Sequence, residues 1–162
     1  MKVKDLMQTD VVTLRRTDTL QVADTFMRQG MIRHLPIVDA DNQLIGLVAQ
    51  ADLFKASASS ILPSTRAPKK EWLGTIAVRD IMITNIITIT PNAEIVEAVD
   101  LLAEGRLGCL PVVENSHLVG ILTETDCLCY LRDLLKKVTS KHSAVNNQPS
   151  ATNQRINEEE EQ

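Results

Sequence analysis

The sequence predicts a mixed α/β (α+β) fold made of two similar halves, each a strand, a helix, two further strands and a second helix (β-α-β-β-α). Three observations carry this expectation. The chain repeats itself: Asp5-Leu6-Met7 returns as Asp80-Ile81-Met82, and the same offset takes Thr13 to Thr88, Leu20 to Ile95, Ala23 to Ala98, Gly30 to Gly105 and Pro36 to Pro111, a self-similarity that decides the fold class before any single element does. Short β-branched runs alternate with stretches of helical apolar period. The register then slips by one residue, because Asp39–Gln43 is matched by the shorter Glu114–His117, after which Leu44, Gly46 and Asp52 meet Leu118, Gly120 and Asp126. A hairpin turn is where such a change is tolerated.

Taken in order, Val11-Val12-Thr13-Leu14 and Ile86-Ile87-Thr88-Ile89 are β-branched runs that suit strands. Thr17 and Asn92 then stand as N-caps, with Asp18 and Glu94 in the first turn, where a carboxylate favours the helix dipole. Leu20, Ala23 and Met27, and likewise Ile95, Ala98 and Leu102, share one helical face, the face expected to be buried. Gly30 and Gly105 follow as helix stops. Leu35–Val38 with Leu44–Val48, and Leu110–Val113 with Leu118–Leu122, read as strand pairs around the polar turns, and Pro36 and Pro111 mark their outer edges. The closing helix of the second half repeats Cys127, Leu128, Leu131, Leu134, Leu135 and Val138 at helical spacing, with Lys136-Lys137 near its C-terminal end.

The expected organisation is repeat 1 over 1–56, a Ser-, Pro- and Lys-rich connection over 57–75 with a short turn around Trp72, repeat 2 over 76–138, and a polar tail over 139–162 that ends in Glu158–Glu161 and is too poor in apolar residues to fold. A unit of about 60 residues buries only about 60% of its unfolded surface, so two units packed together are the stable object.

Composition narrows the function classes. The chain has 162 residues, 44% apolar and 23% charged, a formal charge of −4, and four aromatic residues, Phe26, Phe54, Trp72 and Tyr130. No window approaches the ~18 consecutive apolar residues of a spanning helix, and the chain opens on a charged, periodic segment instead of a signal-peptide core. A cytoplasmic protein without a membrane partner is expected. Cys109, Cys127 and Cys129 are odd in number and sit in apolar stretches, which predicts reduced core thiols. The mild acidity and the lack of stacking platforms argue against nucleic acid. Cys127 and Cys129 lie two apart on a helix and do not face each other, so no metal site with Cys109 and His117 is expected. His34, His117 and His142 are scattered, and no phosphate loop, zinc-protease or nucleophile-elbow motif occurs. No catalytic residue, and no enzyme, is predicted.

The repeated words are Val-x-Asp-Leu/Ile-Met at each start, Arg33-His34-Leu35-Pro36-Ile37-Val38-Asp39 and Gly108-Cys109-Leu110-Pro111-Val112-Val113-Glu114 in the middle, and Gly46…Asp52 and Gly120-Ile121-Leu122-Thr123-Glu124-Thr125-Asp126 near the ends. In this wording the chain resembles a tandem pair of CBS domains, the regulatory module named after cystathionine β-synthase, over residues 1–138. Among stand-alone pairs it is similar to those of acetoin utilization, without the further C-terminal domain that longer relatives of that kind carry.

The resemblance implies two repeats related by a pseudo-twofold, with two clefts between them that bind adenine nucleotides or adenosyl compounds. The family's ligand motif is a Gly, a Ser/Thr and, three positions on, an Asp that accepts hydrogen bonds from the ribose hydroxyls. Repeat 2 carries it as Gly120, Thr123 and Asp126; Ile121, Cys109, Arg15, Leu20, Ile32 and Arg33 would complete this better cleft, with Arg33 as phosphate partner. Repeat 1 has Ala49 in place of the hydroxyl, so its cleft, built from Asp52, Leu47, Ala49, His34, Thr90, Ile95, Leu107 and Gly108, would be weak, selective for an adenosyl group, or empty. Two plainer readings stand beside these. Thr-x-x-Asp before an apolar run is also a helix-capping signature, and His34 is either an ordinary strand residue or a cleft residue able to titrate near neutral pH. The function implied is a non-catalytic regulatory protein that needs no cofactor, binds AMP, ADP, ATP, S-adenosylmethionine or NAD(H), forms a homodimer and modulates a partner enzyme. The alternative is an interaction or scaffold protein of carbon metabolism with degenerate clefts.

Overall fold

The computed structural model describes residues 1–58 and 73–145, the side chains of 57, 58 and 141–145 excepted. Helix α1 (Leu20–Gly30), strands β1 (His34–Val38) and β2 (Leu44–Ala49) and helix α2 (Gln50–Ala58) form the first half. Helix α3 (Ile95–Gly105), strands β3 (Cys109–Glu114) and β4 (His117–Thr123) and helix α4 (Glu124–Val145) repeat them. The mixed helix and strand class and the twofold repetition are those the sequence predicts. Most of the 57–75 connection, Trp72 included, and the tail from 146 lie outside the described residues.

The leading strand of each half is reduced to a single bridge. Leu14 pairs in parallel with Ile37, and Ile89 with Val112, so the strands expected over Val11–Leu14 and Ile86–Ile89 do not form as ladders. The reason is the proline next door. The Leu14 N–H donates to the Pro36 carbonyl (3.0 Å) and the Val38 N–H to the Leu14 carbonyl (2.9 Å); the next rung of a parallel ladder would need an N–H from Pro36, which has none. Pro111 stops the pairing of Ile89 in the same way, after bonds of 3.1 Å and 2.9 Å. Both prolines thus sit on the outer side of a two-stranded antiparallel hairpin, β1 with β2 and β3 with β4, as the edge reading requires.

Helix boundaries differ from expectation for local reasons. The cap of α1 is Thr19, whose hydroxyl accepts from the Val22 N–H, and the first residue before α3 is Glu94. Asp18 instead accepts from the Arg15 N–H, and Asn92 from the Lys4 ammonium, which removes Thr17 and Asn92 as caps. Gly30 and Gly105 are the last helical residues, and the left-handed conformation falls on Met31 (φ 50°) and Arg106 (φ 51°). Gly105 has another use: a Cβ there would stand 3.0 Å from Leu107 Cγ, which folds back over it. Helix α4 runs past the expected end at 138 to Val145; within that extension the Thr139 and Ser140 hydroxyls donate to carbonyls three and four residues back.

Two cores form, and each borrows its leading segment from the other half. Leu20, Ala23 and Met27 of α1 meet Leu35, Ile37 and Val48, and are closed by Leu73 and Val78 with Ile76, Ile81 and Met82 beside them. Ala98, Leu102, Leu110, Val112 and Leu122 are closed by Val3, with Leu6 and Met7. Short 3-10 turns, Val3–Asp5 and Val78–Asp80, deliver these residues. Backbone bonds fix the exchange: Leu20 N–H to Ile76 O, Val78 N–H to Asp18 O, and in the other half Ile95 N–H to Met1 O and Val3 N–H to Ala93 O. Full burial of a side chain such as Leu20 contributes about 2–3 kcal/mol, so residues on both sides of the chain's midpoint are needed to complete either core. The hairpin tips also meet, through Leu118 N–H to Asn42 O (3.1 Å) and Leu44 N–H to Ser116 O (3.3 Å). Met1–Leu128 is accordingly one compact unit. The chain from Cys129 forms a second, in which the described helix leaves Leu131, Leu134, Leu135 and Val138 exposed.

Candidate functional site

Thr123 ends β4 and Asp126 lies in the first turn of α4, three residues on, so their side chains meet over the helix start. One carboxylate oxygen, Asp126 Oδ2, accepts from the Thr123 N–H (2.9 Å) and from its hydroxyl (2.6 Å), while the Asp126 N–H donates to Thr123 Oγ1 (3.2 Å). This is a complete capping box. The other oxygen, Oδ1, accepts from the Gln8 side-chain amide at 3.1 Å. Gln8 reaches this point because its backbone exchanges two 2.9 Å bonds with Ile121 on β4.

Around these groups lies a cleft of about 290 Å³, lined by the chain start (Gln8, Asp10, Val11, Val12), the α1–β1 turn (Met31, Ile32, Arg33, His34), Gly108, and Ile121, Thr123, Thr125 and Asp126. That is at the small end of ligand-pocket volumes. Thr123, Asp126, Ile121, Arg33 and Ile32 are brought together as the motif predicts. Gly120, Cys109, Leu20 and Arg15 are not among the lining residues. Gly120 faces Met7, whose sulfur lies 2.7 Å from where a Cβ would stand. Cys109 is buried in β3, and burial pushes its thiol up to about 12. Leu20 is wholly inside the first core, and the Arg15 guanidinium turns to the Val38 carbonyl.

His34 and Gly108, expected in the second cleft, line this one instead. The His34 ring occupies the space a Cβ on Gly108 would need, 2.6 Å from Cε1. Burial, and then the neighbouring Arg33 charge, lower the His34 pKa below its ordinary value; Glu124 and Asp52 pull weakly the other way. Burial and the Arg33 charge both favour the neutral imidazole. Arg33 is exposed and has no ion pair among the described residues, which makes it the cleft's available cation. Against it stand two carboxylates, Asp10 and Asp126.

In the first half, Asp52 Oδ2 accepts from the Ala49 N–H (2.9 Å), but Ala49 has no hydroxyl to return the bond. Lys55 lies 3.8 Å from the same carboxylate. Leu47 is buried and pairs with Ile83; Ile95 and Leu107 pack against the second core; Thr90 is exposed, its carbonyl accepting from Ala93. The repeat offset sets Ile83, Asn85, Ala49 and Ala51 where the first cleft has Gln8, Asp10, Thr123 and Thr125. Every one of these exchanges removes a hydrogen-bonding group or a charge. Gln8, Asp10 and Thr125 were outside the sequence motif, and the signal that would have found them is their position: Gln8 follows the repeated Asp-x-Met word directly. Among the described residues no three His, Cys, Asp or Glu side chains gather as a metal site, and no helix is long and apolar enough to cross a membrane.

The CBS domain model matches residues 3–59 and 78–136. A CBS domain-containing protein of Dictyostelium discoideum is 36% identical over 137 residues, 84% of this chain and 92% of the relative. A solved structure described as an acetoin utilization protein (AcuB) from Vibrio cholerae superposes with a TM-score of 0.71 at 33% identity, covering 86% of this chain and 96% of that one. The CBS domain pair of protein MJ0100, solved in complex with 5′-methylthioadenosine and S-adenosyl-L-methionine, superposes with a TM-score of 0.70 at 24% identity, over 82% and 97% of the two chains. Several other curated relatives are longer, and the chain spans only 21% to 33% of their length.

Proposed function

Because the chain belongs to the CBS domain family, as a tandem pair, we propose that it is a non-catalytic regulatory protein whose Asp126 cleft binds an adenine nucleotide or adenosyl compound. The observation that carries this reading is the placement of Asp126 and the exposed Arg33 on one cleft with the apolar Ile32 and Ile121, a hydroxyl-accepting carboxylate and a phosphate-pairing cation beside a surface for a planar base. The solved MJ0100 pair holding two adenosyl ligands supports the same class. Two carboxylates against one cation favour a ligand with one phosphate or none over ATP. The Asp52 cleft, stripped of Gln8, Asp10, Thr123 and Thr125 equivalents, is the weaker site.

Binding shifts the relative packing of the two halves only as far as the ligand prefers one arrangement, and that shift is the signal passed to a partner. Exposed Val96, Val99 and Leu128, and separately Leu131, Leu135 and Val138, support a homodimer. The likeness to a structure described as an acetoin utilization protein supports an output in acetoin metabolism. The test is a thermal-shift panel of AMP, ADP, ATP, NADH and S-adenosylmethionine on the wild type and on Asp126→Ala. A ligand at a hundred times its Kd stabilises by about 2.7 kcal/mol, and that gain should vanish in the variant; no shift with any compound sinks the ligand reading and leaves the scaffold role in its place.

A further inference from the structure

The Asp126 carboxylate is already partly occupied, and by a side chain from the far end of the chain. A carboxylate offers about four acceptor positions, two on each oxygen. Both positions on Oδ2 are used by Thr123, through its N–H and its hydroxyl. One of the two on Oδ1 is used by the Gln8 amide. A single acceptor position is left for anything that enters the cleft, whereas a pair of adjacent hydroxyls brings two donors. The first half is built differently at this point: Ile83 stands at the position equivalent to Gln8, in the same backbone bridge, to Leu47 instead of Ile121, and has no amide to donate to Asp52.

We propose that Gln8 is a specificity-determining residue of the Asp126 cleft: its amide competes with a vicinal diol for Asp126 Oδ1, and a ribose must displace it to be held by both hydroxyls. This rests on the adenosyl reading above and adds to it the residue that sets the cost of entry. The side chain is free to leave. Gln8 is exposed, and the bonds that hold this segment to β4 are made by its backbone, so displacing the side chain breaks its hydrogen bond to Asp126 and leaves that bridge intact. A ligand with only one of the two hydroxyls fits the remaining position and leaves Gln8 where it is.

The experiment is calorimetric titration of the full chain, as wild type, Gln8→Ala and Gln8→Ile, with AMP and 2′-deoxy-AMP, and with adenosine and 2′-deoxyadenosine. Loss of one competing hydrogen bond should tighten AMP and adenosine by about two- to tenfold in both variants and leave the 2′-deoxy compounds unchanged. Unchanged or weaker binding of the ribo compounds, or an equal change for ribo and deoxy, overturns the role of Gln8 while the adenosyl reading stands. No binding of any of the four by any of the three proteins overturns the Gln8 proposal, and the five-compound thermal-shift panel then decides whether the adenosyl reading falls with it.

Discussion

Met7 and Gly120 share one space: the methionine sulfur lies 2.7 Å from the position a Cβ on Gly120 would take, and the Gln8 carbonyl lies 2.9 Å from it. Gly46 stands in the same relation to Met82, whose sulfur would be 2.4 Å away. The glycine of each Gly-x-x-x-x-x-Asp word is thus a packing residue, which lets the leading segment of the opposite half cross the hairpin. Gly120→Ala should destabilise by about 1–3 kcal/mol, because the Gln8 carbonyl is fixed by the Ile121 N–H and cannot yield. Gly46→Ala should cost less, since the end of a flexible methionine can move. Urea denaturation of both variants checks the order.

Asp126 and Asp52 serve helix starts alike. Each accepts a backbone N–H three residues before it, from Thr123 and Ala49. Asp126→Ala and Asp52→Ala should each cost about 1 kcal/mol, while only Asp126→Ala removes the thermal shift with AMP. Equal loss of ligand response in the two would mean the clefts are equivalent.

Arg106 holds a left-handed conformation, φ 51° and ψ 41°, with its side chain exposed. That costs a non-glycine residue roughly 1–2 kcal/mol, partly offset on substitution by the greater freedom of glycine in the unfolded chain. Arg106→Gly should therefore raise stability, by about 0.5–1 kcal/mol, seen as a higher denaturation midpoint at unchanged slope.

The depressed pKa of His34 sets a direction for acid sensitivity. Well above the ordinary value of 6.5 the ring is neutral in both folded and unfolded chains, and its contribution to stability is fully present. As pH falls below 6.5 the unfolded chain takes up the proton first, and stability is lost until the folded ring also titrates. Melting temperature should drop between pH 7 and pH 5, and His34→Gln should flatten that part of the curve.

The three thiols should separate by reactivity. Cys109 is buried, its thiol pushed up to about 12, and burial with the nearby Asp126 charge raises Cys127 as well; Cys129 is exposed. With a maleimide at pH 7.5 the native protein should label quickly at Cys129 and at Cys109 only after unfolding. Peptide mapping of the labelled protein reads this directly.

Much was legible from the residues alone, and particular elements show why. The offset that carries Asp5-Leu6-Met7 to Asp80-Ile81-Met82, and the helical spacing of Leu20, Ala23 and Met27, are properties of a one-dimensional pattern, so the repeated class, the buried face of α1 and the association of Thr123 with Asp126 could all be read from it. The one-residue slip in the turn and the edge role of Pro36 and Pro111 were equally local. Caps were read less well: the Thr17 and Asn92 positions look right in spacing, yet Thr19 takes the one and Glu94 the other, because backbone partners from the opposite half decide where each helix begins.

What only the tertiary structure decided is which residues share a cleft. No spacing rule ties Gln8 to Asp126, 118 residues apart, or moves His34 onto Gly108. The first follows from the exchange of leading segments, which a repeat by itself leaves open, since Val3 and Val78 could each have closed their own half. The sequence determined two copies of one αβ unit with a carboxylate at each second helix. The hydroxyls beside Asp126 and the alanines beside Asp52 are local to the chain; the crossing of the chain start over β4 decided that Asp126 carries Gln8 and shares its cleft with Arg33, while Ile83 takes the equivalent bridge, to Leu47. Local propensity acts over a few residues, whereas the meeting of Gln8 with Asp126 depends on burial of apolar segments far apart in sequence, and that is settled only when both cores close.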